Sequence, residues 1–266
     1  MTSDDREPTS TADGEEGSRS SVSTGEPAER RRKQLPLWGE TIVLLAVALI
    51  LAVVIKALFV QAFYIPSESM EPGLVRNDRI LVQKVSYWGG NSPQRGDVVV
   101  FKDPGGWLSP VDDAGPTSTL TEVMSKIGLY PSGGHLVKRV IGVEGDVVTC
   151  CDDQGRISVN GVPLNEKAFL QQDGQACDGP MVTQCGEDWT AGPIPKGHIF
   201  VMGDNRGHSA DSSEHMCSPT ETECVPGEEF VPADLVVGKV FVLLWPRDHF
   251  RWVKRPATFA DIADSP

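Results

Sequence analysis

Two serines, one lysine and a loop dense in Asp, Asn, Arg and Ser are the residues of this 266-residue chain best equipped for chemistry. Ser67 and Ser69 lie in Ile65-Pro-Ser-Glu-Ser-Met-Glu-Pro72, a Pro-bounded turn just beyond a long apolar run. A serine hydroxyl attacks a carbonyl efficiently only when a neighbouring base takes its proton. Histidine is the usual base, and the chain has five: His135, His198, His208, His215 and His249. None belongs to a Gly-x-Ser-x-Gly elbow or another triad pattern, and His208 is merely the sequence neighbour of Ser209. Lysine also works as a base with serine, provided that an apolar setting strips its charge. Lys138 meets that need, with Leu136 and Val137 before it and Val140 and Ile141 beyond Arg139. The bland alternative is a lysine snorkelling from a strand edge. A third constellation, Met202-Gly-Asp-Asn-Arg-Gly-His-Ser-Ala-Asp-Ser212, follows the apolar Ile199-Phe200-Val201. Turn chemistry accounts for its Gly and Asn. The clustering of Asp204, Arg206, Ser209 and Asp211 exceeds what a turn needs.

These groups must be positioned, and the chain shows by what. Thr41 to Phe63 reads TIVLLAVALILAVVIKALFVQAF, which as a helix is about 34 Å long, enough to cross a bilayer. Its one charge, Lys56, sits near the outer end, where it snorkels to headgroups. A cleavable signal peptide fits worse, because the run is long, lies behind some forty residues and has no small-x-small site after it. Residues 1–29 hold almost no large apolar side chain and read as disordered. Arg30-Arg-Arg-Lys33 then marks the cytoplasmic side. The expected order is a tail over 1–40, a membrane helix over 41–63 and the bulk of the chain outside.

Beyond Tyr64 the pattern turns to β. Residues 79–85, 97–101 and 137–143 are short β-branched runs between Gly, Pro, Asn and Asp. Val147-Val-Thr-Cys150 and Arg156-Ile-Ser-Val159 flank Asp-Asp-Gln-Gly and predict a hairpin. Residues 236–245 are too short for a membrane span and are interrupted by Gly238 and Lys239, so they predict a core strand. Helical spacing appears only from Thr119 to Leu129. The fold class is mostly β.

The net charge is −13, and residues 64–266 alone carry 28 acidic against 17 basic side chains. Phosphate contacts need a basic surface, which argues against nucleic acid as a partner. All six cysteines lie after the apolar run, as in a domain facing an oxidising compartment; buried free thiols are the alternative. Adjacent Cys150 and Cys151 on a strand would face opposite ways and take different partners. A zinc site at His215, Cys217 and Cys224 is a weak third option, since the chain has no Cys-x-x-Cys pair. Residues 103–135, 165–195 and 212–229 read as polar insertions.

Taken together, these stretches resemble the type I signal peptidases, membrane-bound Ser/Lys peptidases of bacteria, with a Gram-positive actinobacterium as the expected source. The family's Pro-Ser-x-Ser-Met-x-Pro box is matched by Pro66 to Pro72, and its Arg-Gly-Asp-Val-Val box by Arg95 to Val99. The Lys-Arg-x-x-Gly-x-x-Gly-Asp box is matched by Lys138 to Asp146, and the Gly-Asp-Asn-Arg-x-x-Ser-x-Asp-Ser box by Gly203 to Ser212. Any one box is weak; four in order behind one anchor are highly specific. The resemblance implies a β-rich ectodomain, with a catalytic core over 64–149 and 196–252, a smaller β insertion carrying a cysteine-rich loop over 150–195, and a tail over 253–266. It implies Ser69 as nucleophile and Lys138 as general base, with the Ser69 amide and Ser67 hydroxyl as oxyanion hole. Ser209 would hold the lysine amine, Asp204 would pair with Arg139, Asp211 would brace the last box and Met70 would line the substrate cleft. No metal or cofactor is implied. The implied partners are exported preproteins with signal peptides and the lipid bilayer, with no nucleic acid. The place implied is the cell membrane, single-pass, with the N-terminus cytoplasmic and the catalytic domain outside.

The last box departs from the family pattern. Gly207-His208 stands where Asp-Asn is frequent, and Ser213 where an Arg often follows. That leaves the partner of Asp211 open, with Arg206 as one candidate substitute. Rival readings are a Ser/Lys peptidase dedicated to one precursor and an inactive homologue that binds leader peptides. The self-cleaving repressor peptidases share the dyad but are soluble, and the anchor counts against them.

Overall fold

The computed structural model describes residues 37–108, 134–170, 189–217 and 224–263. The predicted helix at 119–129, the basic cluster at 30–33 and the tail before it lie outside them. So do Cys177 and Cys185. The chain divides into two compact units, residues 1–45 and 46–266.

Helix α1 (Leu37–Phe59) is 23 residues long, and its described apolar side chains, such as Leu49 and Ile50, are exposed. The helix starts earlier than the expected 41 and stops before 63. Val60–Tyr64 forms strand β1, paired antiparallel with β2 (Arg79–Gln83) from Val60↔Gln83 to Tyr64↔Arg79. The chain stays mostly apolar through this change, apart from Gln61, and the antiparallel pairing with Arg79–Gln83 is what makes Val60–Tyr64 a strand. Side chains of residues 55–57 are outside the description, and among the described residues no helix is long and apolar enough to cross a membrane. The backbone helix itself runs unbroken over all 23 residues.

The main sheet has the strand order β1-β2-β11-β3-β4-β9-β10. Its members after β2 are β3 (Val98–Lys102), β4 (His135–Gly142), β9 (His198–Met202), β10 (Val231–Pro232) and β11 (Val236–Trp245). Strand β12 (Arg251–Trp252) pairs with β11 off this path. Every pairing is antiparallel. Ten-residue β11 lies between β2 and β3, so the expected core strand at 236–245 is central. Each fully buried Val or Ile on these strands contributes about 1.5–3 kcal/mol relative to exposure.

A smaller sheet, ordered β7-β6-β5-β8, is built from β5 (Val148–Cys150), β6 (Ser158–Val159), β7 (Val162–Pro163) and β8 (Trp189–Ala191). The predicted hairpin is present as Val148↔Val159 and Thr149↔Ser158. Two boundaries move. The small sheet begins at Val148, inside the segment assigned to the core. The segment from 253 is not a loose tail, because Phe259 and Ile262 are buried in the core cluster of the small sheet. Arg95 fastens it further, donating to the carbonyls of Ile262 and Ala263.

The cysteines also differ from expectation. The structure pairs Cys150 with Cys151, because β5 ends at Cys150 and strand alternation does not reach its neighbour. Cys217 and Cys224 form a second disulfide, which commits both sulfurs that a zinc site there would use.

Candidate active site

Lys138 is placed by strand β4, opposite Val99 of β3. A period of two puts it on the same face as Leu136 and Val140. Both belong to a core cluster with Val99, Phe101 and Val201. The lysine is only 3% exposed. Burial pulls its pKa down to about 8, against the opposing pull of the Asp211 and Asp204 carboxylates. Its ammonium or amine donates to Ser209 Oγ at 2.9 Å.

Ser209 in turn donates to Asp211 Oδ2. The Asp211 carboxylate, 1% exposed, is fully enclosed by donors. Gly203 N–H reaches Oδ2 at 2.8 Å. Ser213 reaches Oδ1 with its amide at 3.0 Å and its hydroxyl at 2.7 Å. The candidate Arg206 is therefore not the partner of Asp211; Gly203, Ser209 and Ser213 are. Its guanidinium points the other way, to Gly203 O at 2.9 Å and Glu166 Oε1 at 2.6 Å. Ser213, two residues on, is close enough for a short Asp side chain to close a local turn. The position that departs from the family pattern supplies the partner itself.

Two buried bidentate ion pairs join the boxes. Arg139 grips Asp204 through Nε at 2.7 Å and Nη2 at 2.6 Å, and also reaches Gly96 O at 3.0 Å. Arg95 grips Asp146 at 2.6 and 2.7 Å. Bidentate Arg–carboxylate pairs fix orientation as well as contact. The second box is thus tied to the third, and the third to the fourth. The sequence reading missed the Arg95–Asp146 pair and the Glu166–Arg206 pair; the Arg-Gly-Asp and Gly-Asp spacings were visible, but not which charge met which.

Ser69 is 5% exposed, and its Oγ is hydrogen-bonded to that of exposed Ser67 at 3.2 Å. It makes no hydrogen bond to Lys138 among the described residues. Such contacts are often long in unliganded enzymes and tighten with substrate. What holds the serine segment is Asn205, whose amide N–H donates to Ser69 O at 3.0 Å and whose side chain donates to Glu68 O at 3.2 Å. Gly203 is the meeting point. A Cβ there would lie 2.3 Å from Ser209 Oγ and 2.4 Å from Ser69 O. Only glycine lets the hydroxyl that holds the lysine and the backbone of Ser69 pack on one residue.

Met70 does not line an open cleft. It is 1% exposed and packs with Phe63, Ile65, Leu74 and Ile80, because the turn after Ser69 directs it into the sheet. None of the histidines approaches Ser69 by a hydrogen bond; His208 faces Asn205 Oδ1 at 3.4 Å and His215 stacks on Trp107.

Residues 38–245 match the family described as signal peptidase, peptidase S26. The chain is 36% identical over 247 residues to signal peptidase I of Mycobacterium tuberculosis (strain CDC 1551 / Oshkosh), covering 89% of this chain and 81% of that one. It is 36% identical over 237 residues to the probable signal peptidase I of Mycobacterium leprae (strain TN), covering 83% and 80%. Over 236 residues it is 31% identical to signal peptidase I of Leptolyngbya laminosa, covering 88% and 93%.

Proposed function

This chain belongs to the signal peptidase family, peptidase S26, and on that premise we propose that Ser69 and Lys138 are the nucleophile and general base with which it cleaves leader peptides from exported preproteins. The observation that carries the reading is a lysine buried in an apolar cluster, brought to a pKa of about 8 and held by Ser209. A neutral amine has two N–H groups and one lone pair. Donation of one N–H to Ser209 orients the amine and leaves the lone pair for the Ser69 hydroxyl proton.

As Lys138 takes that proton, Ser69 Oγ bonds to the scissile carbonyl carbon. The Ser69 amide and the Ser67 hydroxyl, already beside Ser69 Oγ, stabilise the charge on the carbonyl oxygen. The ammonium then gives its proton to the leaving amine as the C–N bond breaks, leaving an ester on Ser69. Lys138 next deprotonates a water, which attacks the ester and releases the leader with Ser69 restored. Asp211 and Asp204 act at a distance, through Ser209 and Arg139.

Helix α1 crosses the membrane in this reading, with residues before it in the cytoplasm and the β domain outside. A helix whose described apolar side chains are exposed is stable where lipid replaces water. Ser69, about ten residues past the end of the helix at Phe59, meets a signal peptide whose apolar core lies in the same bilayer and whose small-x-small site ends at its outer face.

Purified full-length protein in detergent should cut an exported preprotein after its small-x-small site, and Ser69→Ala and Lys138→Ala, still folded, should not. Cleavage of a single dedicated precursor would replace this reading with the specialised peptidase. A wild type that cuts no preprotein would leave a leader-binding protein. For the topology, protease added to cells stripped of their wall should degrade the β domain and spare residues 1–33; the reverse pattern would refute it.

A further inference from the structure

A second polar site lies away from Ser69, where the chain between β2 and β3 meets β11 and the C-terminal segment. It is a cavity of about 220 Å³ lined by Ser92, Tyr87 and the charged groups Asp97, Lys239 and Arg255, among others. Asp97 Oδ1 accepts from Lys239 Nζ at 2.6 Å and from Arg255 Nε and Nη2 at 3.2 and 2.9 Å, and Oδ2 accepts from Tyr87 Oη at 3.1 Å. One carboxylate thus faces two cations. Burial pushes its pKa up, but the hydrogen bonds and charges of Lys239 and Arg255 win and hold it below the usual value, so it stays ionised. Tyr87, pushed upward by burial and by Asp97, stays neutral. The lining is left with one net positive charge.

Donor capacity is also left over. Lys239 spends one of its three N–H bonds on Asp97. Arg255 spends Nε and Nη2 on Asp97 and Gln94. Its Nη1, the other ammonium protons and the Ser92 hydroxyl donate to no described protein group. Lys239 and Arg255 are 22% and 37% exposed, so these donors are open to a ligand. A net positive charge with free donors from a guanidinium, an ammonium and a hydroxyl matches a phosphate group.

The position of the cavity indicates where that phosphate comes from. Trp88, next to Tyr87 and half exposed, packs its ring on Phe59, the last residue of α1, at 5.6 Å between centroids. Lys84 N–H donates to Phe59 O at 3.0 Å. The cavity loop is therefore moored to the end of the helix. We propose that this pocket binds the phosphate of an anionic phospholipid headgroup at the foot of the β domain. The lipid source rests on the membrane placement of α1 given above; the affinity for phosphate does not.

The test uses the full-length protein in a non-ionic detergent, with two probes. Retention of added phosphatidylglycerol, against phosphatidylcholine of the same chains, is read by native mass spectrometry. Binding of radiolabelled inorganic phosphate is read by equilibrium dialysis. Two variants are compared with wild type: Arg255→Gln removes a donor, and Ser92→Glu puts a carboxylate at the exposed mouth while sparing the Asp97 pairs. Wild type should retain phosphatidylglycerol in preference to phosphatidylcholine. Both variants should weaken it by about tenfold, the value of one charge-assisted hydrogen bond, with preprotein cleavage in detergent and melting temperature unchanged for Ser92→Glu. Phosphate binding that is lost in Ser92→Glu, without lipid retention, would keep the pocket but overturn its headgroup source. Binding of neither probe, equal retention of both lipids, or indifference to Ser92→Glu would overturn the proposal; the membrane placement of α1 is read separately by the protease experiment.

Discussion

Lys138 and Ser209 are hydrogen-bonded at 2.9 Å across 71 residues of chain. The lysine comes from the middle of a buried strand and the serine from a loop after β9. The link continues from Ser209 to Asp211 and from there to Gly203 and Ser213. The amine is thus oriented by a relay rooted in backbone amides, with no charged group hydrogen-bonded to it among the described residues. That arrangement suits a base that must be neutral when it acts. A carboxylate against the amine would favour the ammonium.

Activity should follow the titration of Lys138. In the proposed mechanism the neutral amine is the active form, and the Lys138 pKa lies at about 8, so kcat/KM should rise as pH rises through about 8 and level off above. Below that it should fall by about tenfold per pH unit. A pH–rate profile on a peptide substrate would show this; a flat profile from pH 6 to 9 would remove Lys138 as the base.

The same burial makes the lysine a cost to the fold. Its folded pKa, about 8, lies below the 10.5 of an unfolded lysine, so the unfolded chain binds more protons between those values and stability rises with pH across them. Below pH 8 the full penalty is felt. Lys138→Met should therefore be inactive yet more stable than wild type at pH 6.5, by about 2 kcal/mol after the lost Ser209 bond is counted. The gain should fade toward pH 10.5. Denaturant unfolding at the two pH values would show it.

Ser213→Ala removes the hydroxyl that donates to Asp211 Oδ1 at 2.7 Å. Both residues are buried, so an acceptor is left short of one partner at a cost of about 1–3 kcal/mol. Cleavage should slow with it, because Asp211 orients Ser209. Arg206→Gln should leave the pH–rate profile in place while lowering stability through the loss of its Glu166 partner. Unfolding and cleavage assays on both variants would separate the two roles.

Gly203→Ala should lower activity by about a hundredfold. A Cβ at 2.3 Å from Ser209 Oγ and 2.4 Å from Ser69 O must displace one or both, and misplacement by about 1 Å costs about a hundredfold in rate. A crystal structure of the variant with Ser69 and Ser209 unmoved would refute that account of the glycine.

Much of this was legible beforehand. Strands at 79–85, 97–101, 137–143 and 236–245 were set by β-branched runs between turn residues, and the 147–159 hairpin by its Asp-Asp-Gln-Gly turn. Local signals do not report pairing at a distance. The end of α1 at Phe59 depends on β2, because the chain stays mostly apolar from Thr41 to Phe63 and the pairing of Val60–Tyr64 with Arg79–Gln83 is what marks the change. The family resemblance implied Met70 as a cleft residue, and the turn of the chain buried it instead. Cys150 and Cys151 were read by strand alternation that the strand does not sustain.

The sequence alone determined the chemical inventory and the family: a serine beyond an apolar run, a lysine inside an apolar strand, and four boxes in order. Those are properties of residue type and spacing, which the chain carries before it folds. Tertiary structure decided the partners. Arg95 meets Asp146, Arg139 meets Asp204, and Asp211 takes Ser213 over Arg206. Which donor reaches a carboxylate is settled by strand register and close packing, and the apolar wall that lowers the Lys138 pKa exists only once β3, β4 and β9 have come together.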